Sequence, residues 1–253
     1  MSDSLGDRMK RYEHAFRFSL PQRLPIILRV DGRAFHTFTR GCARPFDSDI
    51  AECMAAAATA LCEEVQGAQL AYLQSDEISV LIHSYKRFAS QAWFDGELQK
   101  MCSVSASVAT AAFNSAWLIR ESNAPSGGAN SAHFDARIFV VPEADVTNYF
   151  IWRQQDATRN SVQMLARSLY SHKECFEKDN SQLQEMCFAK GKNWNDLDTR
   201  WKRGVCVRRS HVEIKHVEDN IYAERDCWAI DDEIPIFTAD RSYIDRHLAL
   251  EES

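Results

Sequence analysis

Two acidic positions carry the strongest chemical signal in this 253-residue chain: Asp31, and the adjacent pair Asp76-Glu77. Both follow apolar runs and both sit where the chain turns. Hard divalent cations such as Mg2+ take oxygen ligands in octahedral geometry. They are usually held by one or two carboxylates plus substrate phosphates. Two such ions, about 3.5–4 Å apart, can clamp the attacking and leaving oxygens of a phosphoryl displacement. Asp31 and Asp76 are ligands of the right kind, and the backbone carbonyl of Gly32 offers another oxygen. Asp-Gly and Ser-Asp also form plain turns, so residue type alone leaves both readings open. Glu77, at a strand start, also fits a solvated side chain.

After Asp31 the chain reads Gly32-Arg33-Ala34-Phe35-His36. A Gly-led turn into a short helix presents free backbone N–H groups to an anion. Arg44 and Lys100 are cations of a length to reach a triphosphate placed there, though each also fits an ordinary surface charge. Neither GxxxxGK[ST] nor GxGxxG occurs. Further on, Arg153, Asp156 and Asn160 fall at helical spacing and fit either a solvated face or the wall of a polar cleft. Ser171-His172-Lys173-Glu174 and Lys190-Gly191-Lys192-Asn193 are phosphate or RNA candidates. The eight histidines form no HxH or HExxH zinc pattern.

These residues need elements to position them. Pro25 to Val30 is a short apolar run closed by Asp31-Gly32, a buried strand ending in a turn. Asp47 and Ser48 can cap a helix through the Ala-rich stretch to about Glu64. Residues 69–73 and 78–82 read as strands joined by Gln74-Ser75-Asp76-Glu77, a hairpin-length connection. A helix from about Glu97 to Arg120 has small residues that let it approach a sheet. Residues 137–142 are a fourth strand stopped by proline. This β-α-β-β-α-β order is ferredoxin-like, and it brings the end of the first strand beside the hairpin. The fold expected is therefore α+β, an antiparallel palm sheet with helices on one face over residues 1–142. A mostly helical C-terminal extension, 143–253, packs on it. The turn-forming run 123–131 is the clearest linker, and 143–170 reads as one long helix or two.

Composition narrows the class. Hydrophobic residues make up 45% and charged residues 26%, near the globular average, which excludes a disordered or collagen-like chain. No run approaches eighteen consecutive apolar residues, so no spanning helix and no membrane partner are expected. The N-terminal residues lack an apolar core of the secretory type. The eight cysteines show no CxxC and are expected as reduced thiols in the cytoplasm. Net charge is −6, but Lys190 to Lys215 holds eight Lys/Arg against three Asp/Glu. From His216 to Ser253, three Arg face eleven Asp/Glu. A basic segment beside an acidic one allows anion binding on one surface and equally fits ordinary solvated faces.

Taken in order, several segments resemble the tRNA-histidine guanylyltransferase superfamily, and more closely its bacterial and archaeal branch of 3′-to-5′ RNA polymerases. They are Gly6 to Glu13, Arg29 to His36, Gln74 to Glu77, Phe134-Asp135-Ala136-Arg137, Trp152 to Asp156, Asn160, and Lys192-Asn193. The resemblance implies a palm fold in which Asp31, the Gly32 carbonyl and Asp76 hold two Mg2+, with Glu77 next to them in a catalytic set. It implies an NTP triphosphate cradled by the amides of Gly32, Arg33, Ala34, Phe35 and His36, with Arg44, Ser75 and Lys100. Arg137, Arg153, Asn160, Lys192, Arg208 and Arg209 become tRNA-binding or 5′-end-handling residues. The implied partners are tRNA, ATP, GTP and other NTPs, and a homo-tetramer.

The implied reaction extends the 5′ end of a tRNA. ATP activates a 5′-monophosphate, and the 3′-hydroxyl of an incoming NTP then displaces AMP. Eukaryotic members have His-Ile-Asn-Asn where this chain has Thr158-Arg159-Asn160-Ser161, and Phe-Asp-Gly-Arg where it has Phe134-Asp135-Ala136-Arg137. Glu97 stands where some members carry a phosphate-binding base. These departures favour template-dependent tRNA repair over addition of a single G at position −1. A nucleotide cyclase on a similar palm is a further reading, though the GG[DE]EF run is missing. So is a tRNA-binding module with a degenerate site, which intact Asp31, Asp76 and Glu77 argue against.

Overall fold

Residues 4–85, 90–121, 131–216 and 221–248 are described by the computed structural model. Helix α1 (Leu5–His14) starts at Ser4, whose side chain accepts from the Asp7 N–H. Strand β1 (Ile26–Gly32) leads through a left-handed Ala34 into the single turn α2 (Phe35–Phe38). Asp47 caps α3 (Ser48–Glu64), as its sequence position predicts. Strands β2 (Ala68–Gln74) and β3 (Glu77–Ile82) form the hairpin, and α4 (Leu98–Glu121) and β4 (Phe134–Val140) complete the expected β-α-β-β-α-β order.

The stretch from 143 is one continuous helix, α5 (Glu143–Leu169). Short helices α6 (His172–Cys175), α7 (Asn180–Ala189) and α8 (Thr199–Arg203) follow. Then come strands β5 (Val205–His216) and β6 (Ile221–Asp231), and α9 (Ser242–Asp245). The expected linker 123–131 lies, except for its last residue, outside the described residues.

The sheet has six antiparallel strands in the order β4-β1-β3-β2-β5-β6. Its first four are the ferredoxin-like palm. The last two come from beyond residue 142, so the sheet runs across the expected domain boundary. Residues 205–207 and 212–214, strand-like in sequence, belong to the single long strand β5.

Alternation along the strands assigns two cores. Ile26, Leu28 and Val30 face α3 and α4, whose small residues Ala55, Ala57, Ala58 and Ala109 permit close packing. Ile27, Leu70, Tyr72 and Leu81 face the opposite way, beneath α5 and the C-terminal residues Phe237, Tyr243 and Ile244. α5 thus covers a face that a bare palm leaves open. By length and hydropathy α4 would suit a membrane. Here its stripe of Met101, Ser105, Ala109 and Phe113 is fully buried against the sheet and α3.

Candidate active site

The candidate site forms where β1 ends beside the β2–β3 hairpin. In the ladder Asp31 stands opposite Glu77, and Arg29 opposite Ser79. The Gly32 N–H donates to the Asp76 carbonyl at 2.9 Å, stitching the two turns together. Ser75 leads the hairpin turn in the left-handed region (φ 50°), a strained conformation of the kind found at functional sites. Gly32 itself is required by packing. A Cβ there would lie 2.3 Å from Phe35 Cδ2, and the Phe35 ring is wedged against Phe38, Phe113 and Phe134.

The three carboxylates differ in their surroundings. Among the described residues Asp31 has two distant cations, Arg29 Nη2 at 3.6 Å and Arg137 Nη2 at 3.9 Å from Oδ2. Asp76 accepts from the Ser75 hydroxyl at 3.0 Å. Burial pushes the Asp76 carboxyl up, and the Asp31 charge adds to that. Two carboxylates that repel each other and lack close counter-ions suit a hard cation.

Glu77 is different: Arg153 grips both its oxygens at 2.6 Å, and Arg29 Nη2 approaches Oε2 at 2.6 Å. Burial raises the Glu77 carboxyl above its ordinary value, against the opposing pull of both guanidiniums; the bidentate charge-assisted grip of Arg153 fixes its orientation. Among the described residues no three His, Cys, Asp or Glu side chains gather into a ready-made metal cage.

A cleft of about 620 Å³ opens at Asp76, the member of the three acids that lines it, and its size is typical of small-molecule sites. The β1–α2 turn, the loop before α3, the hairpin, α5 and the α8–β5 junction line it. Of the residues expected from sequence, Gly32, Ala34, Phe35, His36, Arg44, Ser75, Asp76 and Asn160 line it. Asp31 adjoins Gly32. Arg33 is exposed, and its N–H donates to the His133 carbonyl.

Other expected residues do not line the cleft. Lys100 is on the first turn of α4 beside Glu97 and Phe94. The contact of α4 with Phe35 comes at Phe113, thirteen residues and roughly 20 Å along the helix. Helix direction, invisible in residue type, keeps Lys100 from the cleft. Arg153 is buried with its guanidinium on Glu77 and Asp156, so it is not presented to RNA. Arg137 is exposed on β4 and bonds Asp135 at 3.1 Å. Lys192 is exposed after α7. Arg208 bonds Asp231 at 2.8 Å, and Arg209 lies over the Trp228 ring.

Sequence reasoning missed one wall. Phe46 and Trp201 stack at 5.1 Å, nearly parallel, and the Arg200 guanidinium lies 5.0 Å from the Trp201 ring centroid. All three line the cleft. The available signal was the run Arg200-Trp201-Lys202-Arg203, an aromatic interleaved with bases.

A split βαβ sheet with acids at the end of a central strand and at the adjoining hairpin, opening on a cleft, is the palm architecture of nucleotidyltransferases. The family description for tRNAHis guanylyltransferase (Thg1) matches residues 6–142, more than half of the chain, and the chain belongs to that family and is a nucleotidyltransferase. A bacterial Thg1-like protein solved in complex with ATP is 43% identical, with a TM-score of 0.87, covering 98% of this chain and all of that one. A bacterial Thg1-like protein in complex with GTP is 44% identical, with a TM-score of 0.83 and the same coverage. The probable tRNA(His) guanylyltransferase of Drosophila melanogaster is 28% identical over 222 residues, 80% of this chain and 74% of that protein.

Proposed function

We propose that this enzyme extends the 5′ end of tRNA in the 3′-to-5′ direction, restoring truncated ends against a template. The observation that carries the reading is the Gly32–Asp76 backbone bond, which ties the end of β1, next to Asp31, to the hairpin turn whose Asp76 lines the cleft. Asp31, the Gly32 carbonyl and Asp76 would hold two Mg2+, which supply charge neutralisation to a phosphoryl transfer. The turn from Gly32 to His36 would seat the triphosphate, with Arg44 and Ser75 beside it. The Phe46–Trp201 wall would stack the base. Stacking is tolerant of base identity, as a site serving both ATP and GTP needs.

Two displacements make up the proposed reaction. A 5′-phosphate oxygen attacks the α-phosphate of ATP, and pyrophosphate leaves. The 3′-hydroxyl of the incoming NTP then attacks the activated 5′ phosphate, loses its proton, and AMP leaves. A 5′-triphosphate end would skip the first step. Asn160, at the cleft wall, and the exposed Arg137 and Lys192 would handle the RNA end, together with Arg208 and Arg209. A cytoplasmic homo-tetramer is part of this proposal, by family resemblance.

The test is incubation of the protein with Mg2+, labelled NTPs and several tRNAs lacking their first nucleotide, followed by product sequencing. Templated 5′ extension supports the proposal. Addition of only G to intact tRNA(His) would favour the activity named for its relatives, a cyclic nucleotide the cyclase reading, and binding without turnover an inactive module.

A further inference from the structure

We infer that Glu77 is a positioning residue whose task is to keep the Arg29 guanidinium off Asp31, so that Asp31 stays open to a divalent cation. The inference rests on the proposal that Asp31 is a cation ligand.

Arg29 and Asp31 are two residues apart on β1 and so point to the same face of the sheet. A single nitrogen, Arg29 Nη2, lies between two carboxylates: 2.6 Å from Glu77 Oε2 and 3.6 Å from Asp31 Oδ2. Among the described residues Arg29 Nε is buried without a hydrogen-bond partner, so the guanidinium depends on Glu77 for its strongest contact. Glu77 does not move to meet it. Its side chain is 7% exposed, and Arg153, 5% exposed, holds both its oxygens. Arg153 is in turn fixed by Asp156 at 3.0 Å and lies 4.4 Å from the Trp152 ring centroid. Both Glu77 oxygens are thereby occupied, which leaves Glu77 poorly placed to be a cation ligand itself.

Without the Glu77 charge, the nearest anion to Arg29 is Asp31. A largely buried guanidinium stripped of its partner seeks another, and a shift of about one ångström would complete an Asp31 pair. That pair would cancel the charge and fill the lone pairs a cation needs.

The test is direct Mn2+ binding to the whole protein without nucleotide, read from the free-Mn2+ electron paramagnetic resonance signal. Asp31→Asn should abolish tight binding; if it changes nothing, the metal reading and this inference fall together. Glu77→Gln should weaken binding by about tenfold or more, the scale for losing a group that orients a ligand. Adding Arg29→Gln to Glu77→Gln should restore it to within about threefold of wild type on that scale. Equal affinity in wild type and Glu77→Gln, or further loss in the double variant, would overturn the inference while leaving the metal reading intact. Arg29→Gln alone keeps the Glu77–Arg153 pair and guards against a misfolded Glu77→Gln. It should bind Mn2+ at least as tightly as wild type, and weaker binding would overturn the inference.

Discussion

Asp31 and Glu77 face each other across the β1–β3 ladder, yet only one of them is neutralised. Glu77 has two guanidiniums at 2.6 Å, whereas among the described residues the nearest cation to Asp31 is 3.6 Å away. The sheet thus ties one acid into its interior and leaves its cross-strand neighbour without a close ion pair among the described residues.

Asp31→Asn and Asp76→Asn are each expected to lower 5′-extension activity by at least about a hundredfold, since charge stabilisation of phosphoryl transfer amounts to several kcal/mol. Circular dichroism and thermal melting should match wild type. Activity within threefold of wild type in either variant would remove that aspartate from the proposed site.

Arg153→Met should instead act on stability. It leaves the buried Glu77 with Arg29 alone, and breaking a buried pair typically costs about 3–5 kcal/mol. Urea unfolding should show a loss near the lower end, because one counter-ion remains. An unchanged midpoint would mean that Arg153 does not anchor α5 to the sheet.

Gly32→Ala places a methyl inside the Phe35 ring contact. The Phe35 ring is closely surrounded by aromatic neighbours, so overpacking of about 1–3 kcal/mol is expected, together with weaker nucleotide binding as the turn shifts. Calorimetric titration with a non-hydrolysable NTP reads the second effect. Wild-type affinity and stability would show that the turn adapts freely.

Trp201→Ala removes half of the stacked wall. Losing a base–aromatic stack costs about 1–3 kcal/mol, so affinity for ATP and GTP analogues should fall roughly fivefold to a hundredfold. Loss for one purine only would indicate edge recognition in place of stacking.

Acid should weaken the outer edge of the sheet. Burial tends to raise the Asp231 carboxyl, but the bonds from Arg208 at 2.8 Å and the Tyr243 hydroxyl at 2.9 Å hold it below the usual carboxylate range. A depressed folded-state pKa contributes stability above the unfolded-state value, and that contribution disappears as pH falls through the folded-state value. Asp231→Asn should therefore be less stable than wild type at neutral pH, with the difference shrinking toward pH 3. A constant difference across that range would show that the pair does not titrate with folding.

Much of the palm was legible because each strand is a short apolar run bounded by a turn signal and each helix has a cap or a small-residue stripe. The adjacency of Asp31 and Asp76 follows from strand order alone. The roles of Arg153 and Lys100 were not legible, because residue type does not say which way a helix runs or which of its faces is covered. Arg153 reads as a surface base until α5 lies across the sheet and turns it onto Glu77. The Phe46–Trp201 contact joins positions 155 apart, and no local pattern reports a pairing at that range. Strand β6 has its apolar residues in two runs split by Glu224-Arg225-Asp226, without the strict alternation of a half-buried strand, and owes its place to the eleven-residue ladder with β5.

Because β5 docks on β2, the palm half is not a transplantable cassette. A fragment stopped at residue 142 would carry a raw β2 edge, an invitation to pair with other chains. It would also lose α5 from above Ile27, Leu70, Tyr72 and Leu81. Any grafting or trimming of this enzyme has to keep its C-terminal strands, even where only the aspartates are wanted.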